Sequence, residues 1–161
     1  MGETARLVEE LLGLKDVPRT GWVRCGVTDA ESVAAHSWGV ALLAALLCPP
    51  GLDREKVLLM AVLHDLAEVR VGDLTPHDGV SHAEKHRREL AAITELLARH
   101  PDLLAIWHEA EARETPEARF LKELDRLDLG VTGRRYTARG FDVSDVLVAA
   151  TEQLPRLDAL P

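Results

Sequence analysis

Apolar positions recur three and four apart along most of this chain, and the breaks between those runs divide it into helices. Between residues 4 and 14, Leu7, Val8, Leu11, Leu12 and Leu14 mark an amphipathic helix that ends around Gly13. Residues 15–30 lose the pattern at Pro18, Gly21 and Gly26 and read as a connecting loop, although Arg19, Trp22 and Arg24 are unusual for a plain linker. Ser32 supplies an N-cap for a helix from Val33 to about Leu47, which Pro49-Pro50-Gly51 stops. Asp53 caps the next helix, which runs to about Glu68 or Val69, and the two form a hairpin. A loop over residues 70–80, with Gly72, Pro76 and Gly79, carries Asp73 and His77.

Ser81-His82-Ala83-Glu84 has the spacing of a capping box and opens a long helix to about His100, where Pro101 marks a break. Residues 102–114 turn Leu103, Leu104, Ile106 and Trp107 inward. Thr115 caps a helix with Pro116 at its first position, running through Phe120, Leu121, Leu124 and Leu127 to about Gly130 or a little beyond. Residues 132–142, with Gly133 and Gly140, read as a loop or frayed helix end. Asp142 or Ser144 caps a final helix from Asp145 to about Leu154. The expectation is an all-α bundle of about six or seven helices in one domain spanning 1–161.

Composition narrows the function. With 47% apolar but only 4% aromatic residues, the core is aliphatic, and 161 residues suffice for one domain. The 27 acidic residues outnumber the 19 basic ones, which disfavours a sequence-independent nucleic-acid or anionic-membrane binder. Cys25 and Cys48 lack a CxxC spacing and read as structural thiols of a reducing compartment. The first residues lack a signal-peptide pattern and no apolar run approaches the ~18 residues of a membrane span, so a soluble, cytoplasmic protein is expected.

The most informative stretch is Val62-Leu63-His64-Asp65-Leu66-Ala67-Glu68, an apolar helical run interrupted by three ligand-type residues. Four residues apart, His64 and Glu68 share a helix face, with Asp65 beside them. A half-buried carboxylate there is costly unless compensated, and a bound cation would compensate it. His36 and Asp125 likewise interrupt apolar surroundings, although Asp125 by itself also fits an ordinary, partly exposed helix position. Together His36, His64, Asp65 and Asp125 form a mixed N/O set suited to Mn, Co, Ni, Fe or Zn rather than a thiolate-type structural zinc.

Glu31-Ser32-Val33-Ala34-Ala35-His36-Ser37, His64-Asp65-Leu66-Ala67-Glu68, Val71-Gly72-Asp73-Leu74 and Lys122-Glu123-Leu124-Asp125 together resemble the HD-domain metal-dependent phosphohydrolases, whose signature is the order H…HD…D. Arg19-Thr20-Gly21-Trp22, the spacing of Glu68 and Gly72-Asp73, and Glu84-Lys85-His86-Arg87-Arg88-Glu89 resemble the 5'-deoxynucleotidase branch, with the likeness strongest over residues 5–130. That resemblance implies one divalent cation (Mn, Co, Ni, Fe, Zn or Mg) on His36, His64, Asp65 and Asp125, with Glu68 and Asp73 as catalytic carboxylates. It implies that Arg19 binds the phosphate of a small nucleotide substrate and that Trp22 packs on the sugar and excludes a 2'-hydroxyl. Glu68 would accept a proton from water or orient that water; Asp73 would hold a water or sugar hydroxyl, or protonate the leaving oxygen. The implied reaction turns a deoxyribonucleoside 5'-monophosphate into deoxynucleoside and phosphate, in a homodimer. Another nucleotide or phosphoester as substrate, or a silent metal-stabilised binding module, would keep the same ligands.

Other residues have plainer readings. His82 and His86 fit a solvated helix face, and His77 a loop surface within reach of substrate. Arg134 and Arg135 fit solvated or paired positions, Trp38 and Trp107 core or interface positions, and Cys25 an inert thiol.

Overall fold

A computed structural model describes residues 2–151, with side chains described through residue 148. Among these residues there are nine α-helices and no strand, so the all-α expectation holds while the helix number rises: α1 (Glu3–Leu12), α2 (Thr20–Arg24), α3 (Val33–Leu47), α4 (Arg54–Leu63), α5 (Glu68–Val71), α6 (His82–Leu96), α7 (Pro101–Ala112), α8 (Pro116–Ala138) and α9 (Ser144–Thr151). The caps read from sequence form. Ser32 accepts from the Ala35 N–H at 3.2 Å, Asp53 from Lys56 at 3.1 Å, Ser81 from Glu84 at 3.2 Å and Thr115 from Ala118 at 3.3 Å. Each satisfies one amide that the helix start leaves unpaired, worth about 1 kcal/mol.

The two extra helices come from stretches expected to be loop or continuous helix. Residues 15–30 are not an open loop. They hold the end of a short 3-10 turn (Gly13–Asp16) and then α2, and Arg19 and Val33 donate backbone hydrogen bonds to Glu31 and Val17 at 2.9 and 2.8 Å. Residue 19 is thereby pinned beside the start of α3.

The helix expected to run to Glu68 stops at Leu63 and resumes as α5. The reason is local. An uninterrupted α-helix would need the carbonyls of Ala61 and His64 for the amides of Asp65 and Glu68. Ala61 O instead accepts from His64 Nδ1 at 2.9 Å, and His64 O from Trp107 Nε1 at 3.2 Å. The chain tightens to three-residue turns, with Leu66 bonded to Leu63 and Glu68 to Asp65, both at 3.0 Å. In such a turn residues three apart eclipse, so Asp65, not His64, is aligned with Glu68.

Two further ends move. The helix expected to reach His100 ends at Leu96, and α8 continues to Ala138 through Gly130 and Gly133 instead of ending near Gly130. Propensity makes both glycines look like stops, but at Gly133 a Cβ would collide with the Leu147 side chain of α9. The glycine is there for close approach. The final helix starts as expected, with Asp142 accepting from the Ser144 amide at 3.1 Å; its expected end at Leu154 lies outside the described residues.

Three apolar clusters hold these elements. The largest packs α3, α4, α7 and α8 through Val40, Ala44, Val57, Met60, Leu121 and Leu124. A second gathers Leu14, Val33, Leu63, Ile93, Leu97 and Trp107 beneath the turn at 64–67. A third seats Trp22 and Val27 against Tyr136 and Val143. Trp107 is buried, as a core position requires, whereas Trp38 is 68% exposed. His36, near the start of α3, meets His64, just past the end of α4, as an antiparallel hairpin demands; α8 crosses them with Asp125 and Asp128.

Candidate metal centre

His36 is fully buried and both its ring nitrogens face carboxylates. Nδ1 lies 2.7 Å from Asp128 Oδ2, and Nε2 lies 3.2 Å from Asp125 Oδ1 and 3.6 Å from Asp65 Oδ2. His64 directs Nε2 at the same point, 3.4 Å from His36 Nε2 and 3.2 Å from Asp65 Oδ2. Nδ1 of His64 faces Ala61 O and that of His36 faces Asp128, so both rings turn Nε2 inward.

Those spacings fit a cation. At bond lengths of about 2.1 Å, two donors on one ion stand about 3.0 Å apart across an octahedral edge and about 3.4 Å across a tetrahedral one. Two imidazole nitrogens 3.4 Å apart and the carboxylate oxygens around them make a mixed N/O donor set that suits such an ion. His36, His64 and Asp65 bring ligand atoms within 4.8 Å of one another, with Asp125 beside His36; Glu31, His36 and Asp128 form a second group on the other edge of the ring.

The electrostatics agree. Burial opposes charge on His36, but hydrogen bonds to Asp125 and Asp128 outweigh it and hold the imidazole up to about 10. Burial likewise opposes charge on His64, and Asp65 raises it all the same. Asp65 and Asp125 are drawn below the usual carboxylate range despite burial, by His64 and by His36 with Lys122 respectively. Glu68 goes the other way: it is 2% exposed, and burial with the charges of Asp65 and Asp73 pushes it up to about 9. Its Oε1 lies 3.6 Å from Lys85 Nζ, whereas its buried Oε2 has no hydrogen-bond partner. Without a cation the carboxylates favour the protonated form of both imidazoles, and Glu68 favours its neutral form.

Two cavities lie near this centre. The larger, about 430 Å³, is lined by Arg19, Trp22, Asp73, Pro76, His77 and Leu129, among others. It falls within the ~300–1,000 Å³ usual for small-molecule sites. Arg19 connects it to the ligands, its NH1 standing 3.6 Å from both Asp65 and Asp73; the Thr20 amide donates to Asp73 Oδ2 at 2.7 Å. Trp22 is 1% exposed, edge-on to Tyr136 at 5.2 Å, and its Nε1–H donates to Glu31 at 3.0 Å. The smaller cavity, about 180 Å³, opens on His64, Asp65 and Asp125 and is walled by Lys85, His86 and Lys122. His86 is not simply solvated: it stacks on Trp107 and stands 3.5 Å from Glu111.

The structure therefore gathers His36, His64 and Asp65, with Asp125 3.2 Å from His36 Nε2 but outside that tight group, and sets Arg19, Trp22, Asp73 and His77 around one cavity beside it. Glu68 sits between the two, its charge felt by Arg19 and Lys85. Three partners were missed. Asp128 is the i+3 neighbour of Asp125, a spacing that does not mark it as the partner of a histidine, and Glu31 lies inside the motif Glu31–Ser37. Lys85, which also donates to Leu74 O at 3.0 Å, gave no signal apart from its motif.

Comparison with known proteins follows the same lines. Residues 12–148 match the family model described as HD domain. The 5'-deoxynucleotidase HDDC2 of Danio rerio is 41% identical over 128 residues, covering 76% of this chain. That alignment spans 64% of the fish protein's length. Among solved structures, PH0347 protein from Pyrococcus horikoshii superposes with a TM-score of 0.80 at 30% identity, over 92% of this chain and 87% of that one. A predicted metal-dependent phosphohydrolase from Magnetospirillum magnetotacticum gives a TM-score of 0.65 at 32% identity, over 77% and 65% of the two chains. With the family model matching most of its length, this chain belongs to the HD-domain family.

Proposed function

We propose that this protein is a metal-dependent phosphomonoesterase that hydrolyses deoxyribonucleoside 5'-monophosphates to deoxynucleoside and phosphate. The observation that carries the reading is Arg19, whose guanidinium stands 3.6 Å from Asp65 on the ligand side and lines a cavity of about 430 Å³ beside it, large enough for a nucleoside. The name 5'-deoxynucleotidase belongs to the relatives and supports the substrate class. His36, His64, Asp65 and Asp125 hold one divalent cation of the Mn, Co, Ni, Fe, Zn or Mg group. Bound there, it supplies Lewis acidity to a phosphate oxygen and lowers the pKa of a coordinated water.

The remaining work falls to side chains. Arg19 pairs with phosphate oxygens, a geometry that its planar fork suits. Glu68 takes the proton of the attacking water; the new bond forms from that oxygen to phosphorus and the bond to the 5'-oxygen breaks. The leaving oxygen receives a proton from Asp73, held by the Thr20 amide, or from water. Trp22, fixed by Glu31 and Tyr136, offers a rigid wall to the deoxyribose, with His77 at the cavity's edge. No helix among the described residues is long and apolar enough to cross a membrane. We place the protein in the cytoplasm, in keeping with its free thiols Cys25 and Cys48, and as a homodimer, in keeping with the exposed Trp38, Leu42 and Leu46 on α3.

Phosphate release from a panel of deoxy- and ribonucleoside 5'-monophosphates, with chelated protein and with Mn, Co or Mg restored, tests the reading. Metal-dependent release favouring deoxynucleotides is expected. Equal use of ribonucleotides would remove Trp22 as selector, and no release with any metal would remove the activity.

A further inference from the structure

The carboxylate at 2.7 Å from His36 Nδ1 belongs to Asp128, which the four-ligand set does not include. It cannot serve the same ion as His64 and Asp65, because it approaches the opposite edge of the ring from the Nε2 that faces them. We propose that Asp128 is a positioning residue: it accepts the Nδ1–H of His36, fixes the ring's tautomer and orientation, and so presents Nε2 to the cation. The inference rests on the reading of His36 as a metal ligand.

Three observations carry it. First, the ring is fully buried, so no water competes for Nδ1 and Asp128 is its partner there. Second, the other nearby carboxylate is engaged elsewhere, since Glu31 Oε1 accepts from Trp22 Nε1 at 3.0 Å. Third, the backbone makes room for this contact. A Cβ at Gly39, one turn along α3 from His36, would run into the Asp128 carboxylate, so the glycine lets α8 bring that group to the ring. His64 obtains the same service from Ala61 O at 2.9 Å. The two histidines thus have matched arrangements, one supplied by a side chain and one by the backbone. Carboxylate–histidine–metal relays of this kind raise ligand basicity, and losing the outer partner typically weakens metal binding about 10- to 100-fold.

The test is titration calorimetry of Mn²⁺ and Co²⁺ into chelated protein, with the Co²⁺ absorption spectrum and the ¹⁵N shifts of His36 as independent readouts. Asp128→Ala is expected to bind about 10- to 100-fold more weakly and to lose the Nδ1–H signature. Asp128→Asn, whose carbonyl still accepts that hydrogen bond, should recover most of the affinity. Gly39→Ala favours the helix, so it should fold, yet it displaces the carboxylate and should weaken binding in the same direction. If Gly39 acts only through Asp128, the double variant Gly39→Ala/Asp128→Ala binds no more weakly than Asp128→Ala alone. Wild-type affinity in Asp128→Ala, or an Asn variant no better than Ala, overturns the positioning role. His36→Ala is the reference: if it too binds as wild type, the ligand reading fails first, whereas loss there with none in Asp128→Ala defeats this inference alone.

Discussion

Glu68→Gln separates what the buried carboxyl does for catalysis from what it costs the fold. The pKa of Glu68 rises from 4.5 to about 9 because burial and the charges of Asp65 and Asp73 disfavour its ionised form. Between those values the unfolded chain has released the proton while the native state keeps it, so in chelated protein stability falls as pH rises from 4.5 towards 9. Each unit is worth about 1.4 kcal/mol, so at pH 7 the penalty approaches roughly 3 kcal/mol. Glutamine has nearly the same shape and no charge to lose. Chelated Glu68→Gln should therefore match the wild type near pH 4.5 and exceed it by about 3 kcal/mol at pH 7, a rise in Tm of roughly 10 °C. With metal restored, the same variant should lose about 10²- to 10⁴-fold in kcat, since it cannot take a proton. Denaturant melts at pH 4.5, 7 and 9 and steady-state kinetics read both arms. A variant with wild-type kcat would show that Glu68 is not the proton acceptor; one less stable than wild type at pH 7 would refute the electrostatic account.

His64→Ala and Asp65→Ala should each lose both bound metal and turnover; unchanged metal content by elemental analysis in both variants would place the ion elsewhere. Because the carboxylates hold His36 up to about 10 and Asp65 shifts His64 in the same direction, both rings of chelated protein keep their protons more firmly than a free imidazole does. Metal must displace those protons, so affinity should rise with pH by up to about tenfold per unit per proton between pH 6 and 9, readable as buffer-dependent heats. In chelated protein the stabilisation from the His36 contacts is complete below pH 6.5 and is lost as pH rises towards 10. Gly133→Ala should destabilise the protein by about 1 kcal/mol net, because overpacking against Leu147 of ~1–3 kcal/mol exceeds the gain in helix propensity. A thermal melt at or above the wild-type value would show that α9 yields freely.

The parts of the fold written in local chemistry were legible in the sequence. Ser32, Asp53, Ser81 and Thr115 cap the helices they precede, because a cap needs only a side-chain oxygen and an amide three residues on. Helix ends set by tertiary contact were not legible. Gly130 and Gly133 look like stops, yet α8 passes through both, and at Gly133 the Leu147 side chain of α9 takes the place of a Cβ. The motif HxxxE looked like one helical face, yet Glu68 aligns with Asp65, because the acceptor that breaks the helix is reached from Trp107 more than 40 residues away. The candidate ligands stood out because metal ligation demands particular residue types. Asp128 could not, because an aspartate that orients a histidine and one that faces solvent are written alike, and only the crossing of α8 over α3 tells them apart.

The same hydrogen bonds join the break in α4 to the presentation of the ligand. When His64 Nδ1–H takes Ala61 O, it removes the acceptor that Asp65 would use to stay helical and, in the same act, turns Nε2 towards His36. When Trp107 takes His64 O, the amide of Glu68 is released to Asp65 O, and the tightened turn sets the two carboxylates three residues apart on one side. A straight helix through these residues would keep two more regular backbone bonds, at the expense of a histidine whose tautomer nothing fixed. The irregular turn is thus the form in which this stretch can offer a nitrogen and two carboxylates to one small volume, and its stability depends on a buried indole. Loss of the Trp107 donor should therefore reach the metal centre through the backbone, although the ring touches none of the ligand atoms assigned here.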